Sequence, residues 1–327
     1  MSKRRFLVAA VAACAGPLAL CQGWTAEPPY PSRALHFAVN FPPGGASDLM
    51  ARIFGQKLGE VLGQSVIVEN RVGASGAIGA VYAAHQPPDG YTFMLGSLGS
   101  TIVAPIMNKA LPYDMARDFS PVALIATGPG VFVVSSRSPY NSLQELLAAA
   151  RSKPGALNFG SGGRGTFSHL AGEMLNAEAG VQIQHVPYKG SVQALNDVIA
   201  GQVDMLAADP PAVLPHIKAG KVRALAVSST AREVLLPEVP TFVESGLPGL
   251  VALNSWSIYM PTGVPPAVAQ VFHAALDKAM ADPDLVKKFA ELGADVQHST
   301  PEELRRFTAA ETAKYTRLIK EKDIKGE

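Results

Sequence analysis

Apolar residues run along this chain in short unbroken stretches. Each is followed by a turn of small residues and then by a segment whose apolar positions recur at helical spacing. The first stretch, Leu35–Asn40 (LHFAVN), reads as a buried strand. After Phe41–Asp48 (FPPGGASD), residues Met50, Ile53, Phe54, Leu58, Val61 and Leu62 share one face of a predicted helix that Gly63 stops. The unit recurs. Further strands are predicted at Ser65–Asn70, Thr92–Ser97, around Thr127–Gly130, and at Leu157–Gly160, Ile183–Gly190, Val203–Asp209 and Val222–Ser229. Helices follow most of them, as in FSHLAGEMLNAEAG, SVQALNDVIAG and PPAVLPHIKAG. The chain ends in three helical segments, the last with Thr300 or Ser299 as cap and Pro301 at its first position. Such alternation, with strands apolar on both faces, predicts an α/β fold of mostly parallel sheets.

The 327 residues suggest two domains of about 150 each. Turn-rich changes near Pro121–Gly130 and Ser228–Glu233 place a discontinuous first domain over 24–122 and 229–327, and a second over 123–228. A chain that leaves one α/β domain, builds another and returns makes two crossovers, which form a hinge beside a cleft.

Composition narrows the setting. A net charge of +1 argues against nucleic acid or a polybasic membrane contact. Residues 1–23 read as a secretory signal peptide. A basic start, Ser2–Phe6, precedes the apolar Leu7–Leu20, which is shorter than the ~20 residues of a membrane span. Cleavage after Gly23 would remove Lys3, Arg4 and Arg5, taking the net charge from +1 to −2. It would also remove Cys14 and Cys21, leaving no disulfide, thiol nucleophile or cysteine metal site. The expected location is the periplasm.

Most catalytic readings of the glycine loops fail. Gly160–Thr166 (GSGGRGT) has the outline of a phosphate loop, but Gly165 stands where the lysine is needed. Gly73–Gly79 is GxxGxxG, not the dinucleotide fingerprint. Ser97 and Ser161 each follow a strand without the glycine two places before that a nucleophile elbow needs. The seven histidines show no HxxxH or HExxH spacing, so neither metal nor cofactor is expected. A hydrolase using Ser97 or Ser161 would need a base, and His169 and His185 are the candidates for it.

What remains is a set of strand ends carrying small, donor-rich loops: Phe41–Asp48, Ser97–Thr101, Ser161–Thr166 and Asp209. In open α/β sheets ligands bind outside the carboxyl ends of strands. Ser47 reads as the cap of one helix, with Asp48 in its first turn, and Thr166 stands at the start of another. Two helix starts facing across a cleft suit a small anion with a carboxylate at each end. Asp48 and Asp209 would repel it unless they cap backbone amides or meet a ligand ammonium.

In order, YPSRALHFAVNFPPGGASDLMAR, GQSVIVENRVGASGAIGA, PPDGYTFMLGS, LPYDMARDFSPVALIA, GSGGRGTFSHLAGE, HVPYKG and VPTFVESGLPG resemble the signature of Bug-type receptors. These are the extracytoplasmic solute-binding proteins of tripartite tricarboxylate transporters, and the resemblance covers essentially the whole chain after residue 23. It implies a two-domain, type II-like periplasmic binding fold that closes on a small carboxylate, amino acid or aromatic acid. It implies delivery to integral membrane transporter subunits by a monomer without catalytic activity. A ligand-sensing receptor feeding a signalling partner is the alternative. Carried onto this chain, the resemblance assigns the ligand to Phe41, Gly44, Gly45, Ser47, Asp48 and Ser97 on one wall. It assigns Ser161, Gly162, Thr166 and Asp209 to the other. Asn40, the stiff Asp209-Pro210-Pro211, and the extra glycine and cation of Ser161–Arg164 depart from the pattern.

Overall fold

A computed structural model describes residues 29–321, 323 and 324. The predicted signal segment, with both cysteines, lies outside the described residues.

The first part of the chain runs β1 (Leu35–Val39), α1 (Ala46–Leu62), β2 (Val66–Asn70), α2 (Ala77–Ala84), β3 (Thr92–Ser97), α3 (Ala104–Met107), α4 (Met115–Asp118) and β4 (Phe119–Pro129). It continues as β5 (Val131–Ser135), α5 (Leu143–Ser152), β6 (Asn158–Ser161), α6 (Phe167–Ala179), β7 (Gln184–Pro187), α7 (Ser191–Ala200), β8 (Met205–Ala208), α8 (Pro210–Lys218) and β9 (Val222–Val227). It closes with β10 (Leu253–Pro261), α9 (Pro266–Met280), α10 (Pro283–Glu291), β11 (Asp295–Val296) and α11 (Pro301–Glu321).

Two sheets result. One has the order β11-β4-β10-β3-β1-β2 and the other β7-β6-β8-β5-β9. Both are mixed, where the sequence predicts mostly parallel ones. Strands β2, β1 and β3 are mutually parallel, as are β7, β6 and β8, because successive strands of each set are joined through a helix. The antiparallel members are β4, β5, β9, β10 and the short β11. Strands β4 and β5 pass from one sheet to the other through Gly130 alone, with no helix between to turn the chain round. The return path leaves β9 and enters β10 after residue 252.

The two crossings are tied to each other. Ser228 N donates to Gly130 O (2.9 Å), Gly130 N donates to Ser228 Oγ (2.7 Å), and Ser228 Oγ donates to Ala252 O (2.5 Å). Three strand ends are therefore joined by a few short bonds, while the sheets they serve stay separate.

Alternation along the strands builds cores on both faces. In β1, Leu35, Phe37 and Val39 pack with α1, α9 and α10, while Ala38 packs with α2 on the opposite face. In β5, Phe132 and Val134 join α5 and α6, and Val131 and Val133 join α7 and α8. Helix α11 opens on a capping box. Glu303 N donates to Thr300 Oγ1, and Thr300 N donates to Glu303 Oε2. Its Leu304 packs beneath the first sheet and its Tyr315 in the cluster that holds Phe132, so α11 spans both units.

Candidate ligand-binding cleft

The loop after β1 takes its shape from glycine and proline. Gly44 has φ +79°, a left-handed conformation that costs glycine nothing, and Pro42 and Pro43 stiffen the approach. The cap of α1 is Gly45, with no side-chain cap bond, so Ser47 is not the cap the sequence suggests. Ser47 sits one place inside the helix, where Trp256 Nε1 donates to its Oγ (3.3 Å).

Asp48 turns away from the cleft and holds the loop from behind. Its Oδ2 accepts from Gly44 N and Arg52 Nε, and its Oδ1 from Arg52 Nη2 and Asn70 Nδ2, each at 2.9 Å. Asn70 Nδ2 also donates to Phe41 O. Burial pushes this carboxyl up, but the bonds from Arg52, Gly44 and Asn70 outweigh it and hold it below the usual carboxylate range. The Asp48→Ala variant leaves the Gly44 amide without its acceptor and Asn70 Nδ2 with Phe41 O alone. It is expected to lose about 1–3 kcal/mol by denaturant unfolding and to bind ligand about tenfold more weakly. An unchanged unfolding midpoint would remove Asp48 from this role.

In the second unit the same strand–turn–helix theme occurs three times. After β6, Gly162 N donates to Ser168 Oγ (2.9 Å), Thr166 Oγ1 donates to Gly163 O (2.7 Å), and Thr166 caps α6 by accepting from His169 N. After β7, Gly190 caps α7 without a side chain. After β8, Asp209 precedes Pro210 and Pro211 at the head of α8.

These loops enclose a cavity of about 50 Å³ between the sheets. Its walls are Phe41, Pro42, Gly45–Ser47, Ser97 and Asn254 on the first-sheet side, and Gly162, Thr166–Ser168, Ser191, Val192, Ala208 and Asp209 on the other. Ala46 and Ser47, Phe167 and Ser168, and Ser191 and Val192 are the first two residues of α1, α6 and α7. The leading amides of three helices, which have no carbonyl partner within their own helix, thus converge on one space. No lysine, arginine or histidine lines it. Each helix start is worth roughly half a positive charge to an anion placed there.

Of the residues assigned from sequence, Phe41, Gly45, Ser47, Ser97, Gly162, Thr166 and Asp209 line the cavity, whereas Gly44, Asp48 and Ser161 do not. Gly44 and Asp48 form the rear brace of the first loop. Ser168, Ser191, Val192 and Asn254 escaped the sequence reading. The α7 pair could have been found, since HVPYKG-SV is another strand end opening a helix. Asn254 lies inside an apolar strand, with no local signal.

Ser161 is fully buried behind its loop. Its Oγ accepts from Gly163 N (3.0 Å) and shares a 2.5 Å hydrogen bond with His185 Nε2. His185 stacks on His169, with ring centroids 4.2 Å apart, and His169 Nδ1 accepts from Gly165 N (3.1 Å). Serine and histidine are therefore adjacent, but outside the cavity. Glu173 stands 3.9 Å from His169 Nε2, beyond hydrogen-bond reach. Burial lowers His169 to about 4 and His185 to about 3, which makes both rings poor bases.

Asp209 is the one ionisable side chain of the cavity. Asn254 Nδ2 donates to its Oδ1 (2.8 Å), and Asn254 Oδ1 accepts from Leu98 N and Ser255 N, which fixes the way the amide faces. Burial pushes the Asp209 carboxyl up to about 7 against the opposing bond from Asn254.

The two units touch around the cavity. A Cβ on Gly190 would stand 2.5 Å from Pro42 Cγ, and one on Gly99 would stand 2.9 Å from Thr166 Cα.

The model of the tripartite tricarboxylate transporter family receptor matches residues 50–324. A protein encoded in the tcbD–tcbE intergenic region of Pseudomonas sp. strain P51 is 42% identical over 293 residues, covering 89% of this chain and 87% of its own. Among solved structures, Rpa4515 of R. palustris with adipate superposes with TM-score 0.87 at 33% identity, covering 90% of this chain and 98% of that one. MatC of Rhodopseudomonas palustris with bound malate gives TM-score 0.84 at 30% identity, covering 89% and 100%.

Proposed function

This chain belongs to the family of tripartite tricarboxylate transporter receptors, and from that premise we propose that its cleft captures one small carboxylate by closure of the two sheet-centred units. The protein is a solute-binding receptor with the two-unit periplasmic binding fold. The observation that carries the carboxylate reading is the convergence of the first residues of α1, α6 and α7 on a cavity with no basic side chain. Backbone amides then do what a cation would otherwise do, and they need no desolvated lysine or arginine. The hinge belongs where β4 passes into β5 and where β9 leaves its sheet, at Gly130 and Ser228. Contacts to both walls make the ligand favour the closed state. Integral membrane subunits receive the closed monomer after the signal segment directs it to the periplasm and is cleaved.

We assign Ser161 and His185 to holding the Ser161–Thr166 loop, and read the protein as non-enzymatic. The acid bound should therefore leave the cleft unchanged. In a thermal-unfolding series with added carboxylates, the cognate acid at 100 times its Kd stabilises by about 2.7 kcal/mol and raises the midpoint by roughly 5 °C. Mass spectrometry of the acid recovered afterwards should return its starting mass. A product of different mass, appearing with turnover, would replace the receptor reading with an enzyme.

A further inference from the structure

The walls of the cavity are not alike. Three of them offer helix amides and hydroxyls, which are donors. The fourth offers a carboxylate. Asp209 heads α8, whose first two residues are prolines without an amide hydrogen, and the next amide, Ala212 N, donates to the Asp209 main-chain carbonyl (3.0 Å), so the Asp209 side chain receives no helix cap bond. Its partners are Asn254 Nδ2 and its own backbone amide. Asn254 cannot turn its oxygen towards the cavity, because Leu98 N and Ser255 N already hold that oxygen. A carboxylate with spare acceptor capacity and no cation beside it therefore faces the same space as three anion-attracting helix starts.

We propose that Asp209 makes the cleft selective for a small carboxylate that also carries a hydrogen-bond donor, an amino or hydroxy acid, over the unsubstituted acid of the same chain length. The inference rests on the receptor reading and narrows its ligand class. The ligand carboxylate lies on the starts of α1, α6 and α7, and its donor bonds Asp209. An unsubstituted diacid would set a second carboxylate against Asp209, and the two like charges could coexist only by sharing a proton. A donor removes that conflict and satisfies a carboxylate that the fold leaves short of partners. The raised carboxyl of Asp209 fits this shortage. An ammonium, being charged, gains more from the contact than a hydroxyl.

Calorimetric titration of the whole protein tests this with the twenty amino acids, their 2-hydroxy counterparts and the matching unsubstituted acids. The best substituted acid should bind about 10- to 100-fold more tightly than its unsubstituted partner. The isosteric Asp209→Asn variant should erase most of that ratio, and should weaken an amino acid more than a hydroxy acid. Equal binding of substituted and unsubstituted acids by the wild type overturns the proposal while the receptor reading stands, and needs no variant. A ratio unchanged in Asp209→Asn also overturns it. Absence of binding by every acid in the series overturns the proposal and the receptor reading together.

Discussion

A single methyl group at Gly190 is expected to hold the cleft open. In the Gly190→Ala variant the new Cβ would lie 2.5 Å from Cγ and 2.7 Å from Cδ of Pro42, which belongs to the opposite wall. Neither side can give way cheaply. Pro42 is a ring in a loop stiffened by a second proline and braced by Asp48, and Gly190 is the cap of α7. The backbone at Gly190 has φ −179° and ψ 157°, extended geometry that alanine adopts without strain, so the substitution should cost the open form little. Overpacking of this kind costs about 1–3 kcal/mol, and here it falls on the closed state alone, so affinity should drop roughly 10- to 100-fold. The unliganded melting temperature should change by no more than loss of a glycine cap allows, a few tenths of a kcal/mol. Calorimetry gives the affinity, and small-angle scattering with saturating ligand should show that the variant stays more expanded than wild type. Wild-type affinity in Gly190→Ala would mean that Pro42 and Gly190 do not meet in the bound state.

That contact could not have been read from the sequence, although much around it could. Leu35–Asn40 and Val203–Asp209 announce buried strands because consecutive apolar residues dominate them, and Phe37–Val39 and Met205–Ala208 are buried on two faces. The face of α1 was legible from Met50, Phe54 and Leu58, all of which are fully buried. Strand direction was less legible. Periodicity reports which faces are covered, not which way a strand runs, and β4 and β10 cross between units without the helix that fixes direction in a βαβ path. The site divided along the same line. Loops that open helices carry a local signature of small residues before an amphipathic run, and seven of the ten residues assigned from sequence reach the cavity. Asp48 carries that signature too, yet its partner Asn70 lies 22 residues away on a neighbouring strand, and only packing turns the carboxylate from the cavity towards the loop. Asn254 is turned towards Asp209 by the bond its Oδ1 accepts from Leu98 N, across 156 positions of sequence.

Opposite pH responses are expected from His169 and Asp209. His169 is buried and neutral, its Nδ1 already committed as acceptor to Gly165 N. Burial lowers it to about 4, with the Arg164 charge adding to the effect. An unfolded histidine titrates near 6.5, so between about 6.5 and 4 the unfolded chain binds a proton that the folded one refuses. Stability is therefore lost as the pH falls through this window, by about 3 kcal/mol from His169 in full. His185, lowered by burial and by its stacked neighbour, acts in the same direction, weakened by its partial exposure. Asp209 works the other way. Its folded carboxyl stands near 7 against an unfolded value near 3.8, so the folded chain takes up a proton first and gains stability as the pH falls below 7. The wild-type curve between pH 7 and 5 is the difference of the two and can be nearly flat, so it says little alone. The variants separate the contributions. Relative to wild type, His169→Gln should become progressively more stable as the pH is lowered from 7 to 5, because it has no proton to refuse. Asp209→Asn should become progressively less stable over the same range, because it has no proton to gain. Urea midpoints for the three unliganded proteins at half-unit intervals would measure both slopes. Two variant curves that stay parallel to wild type would show that neither group titrates differently in the folded protein. Parallel behaviour in His169→Gln alone would mean that the stacked pair sits in contact with water, and that the Ser161–Thr166 loop is not held by neutral rings.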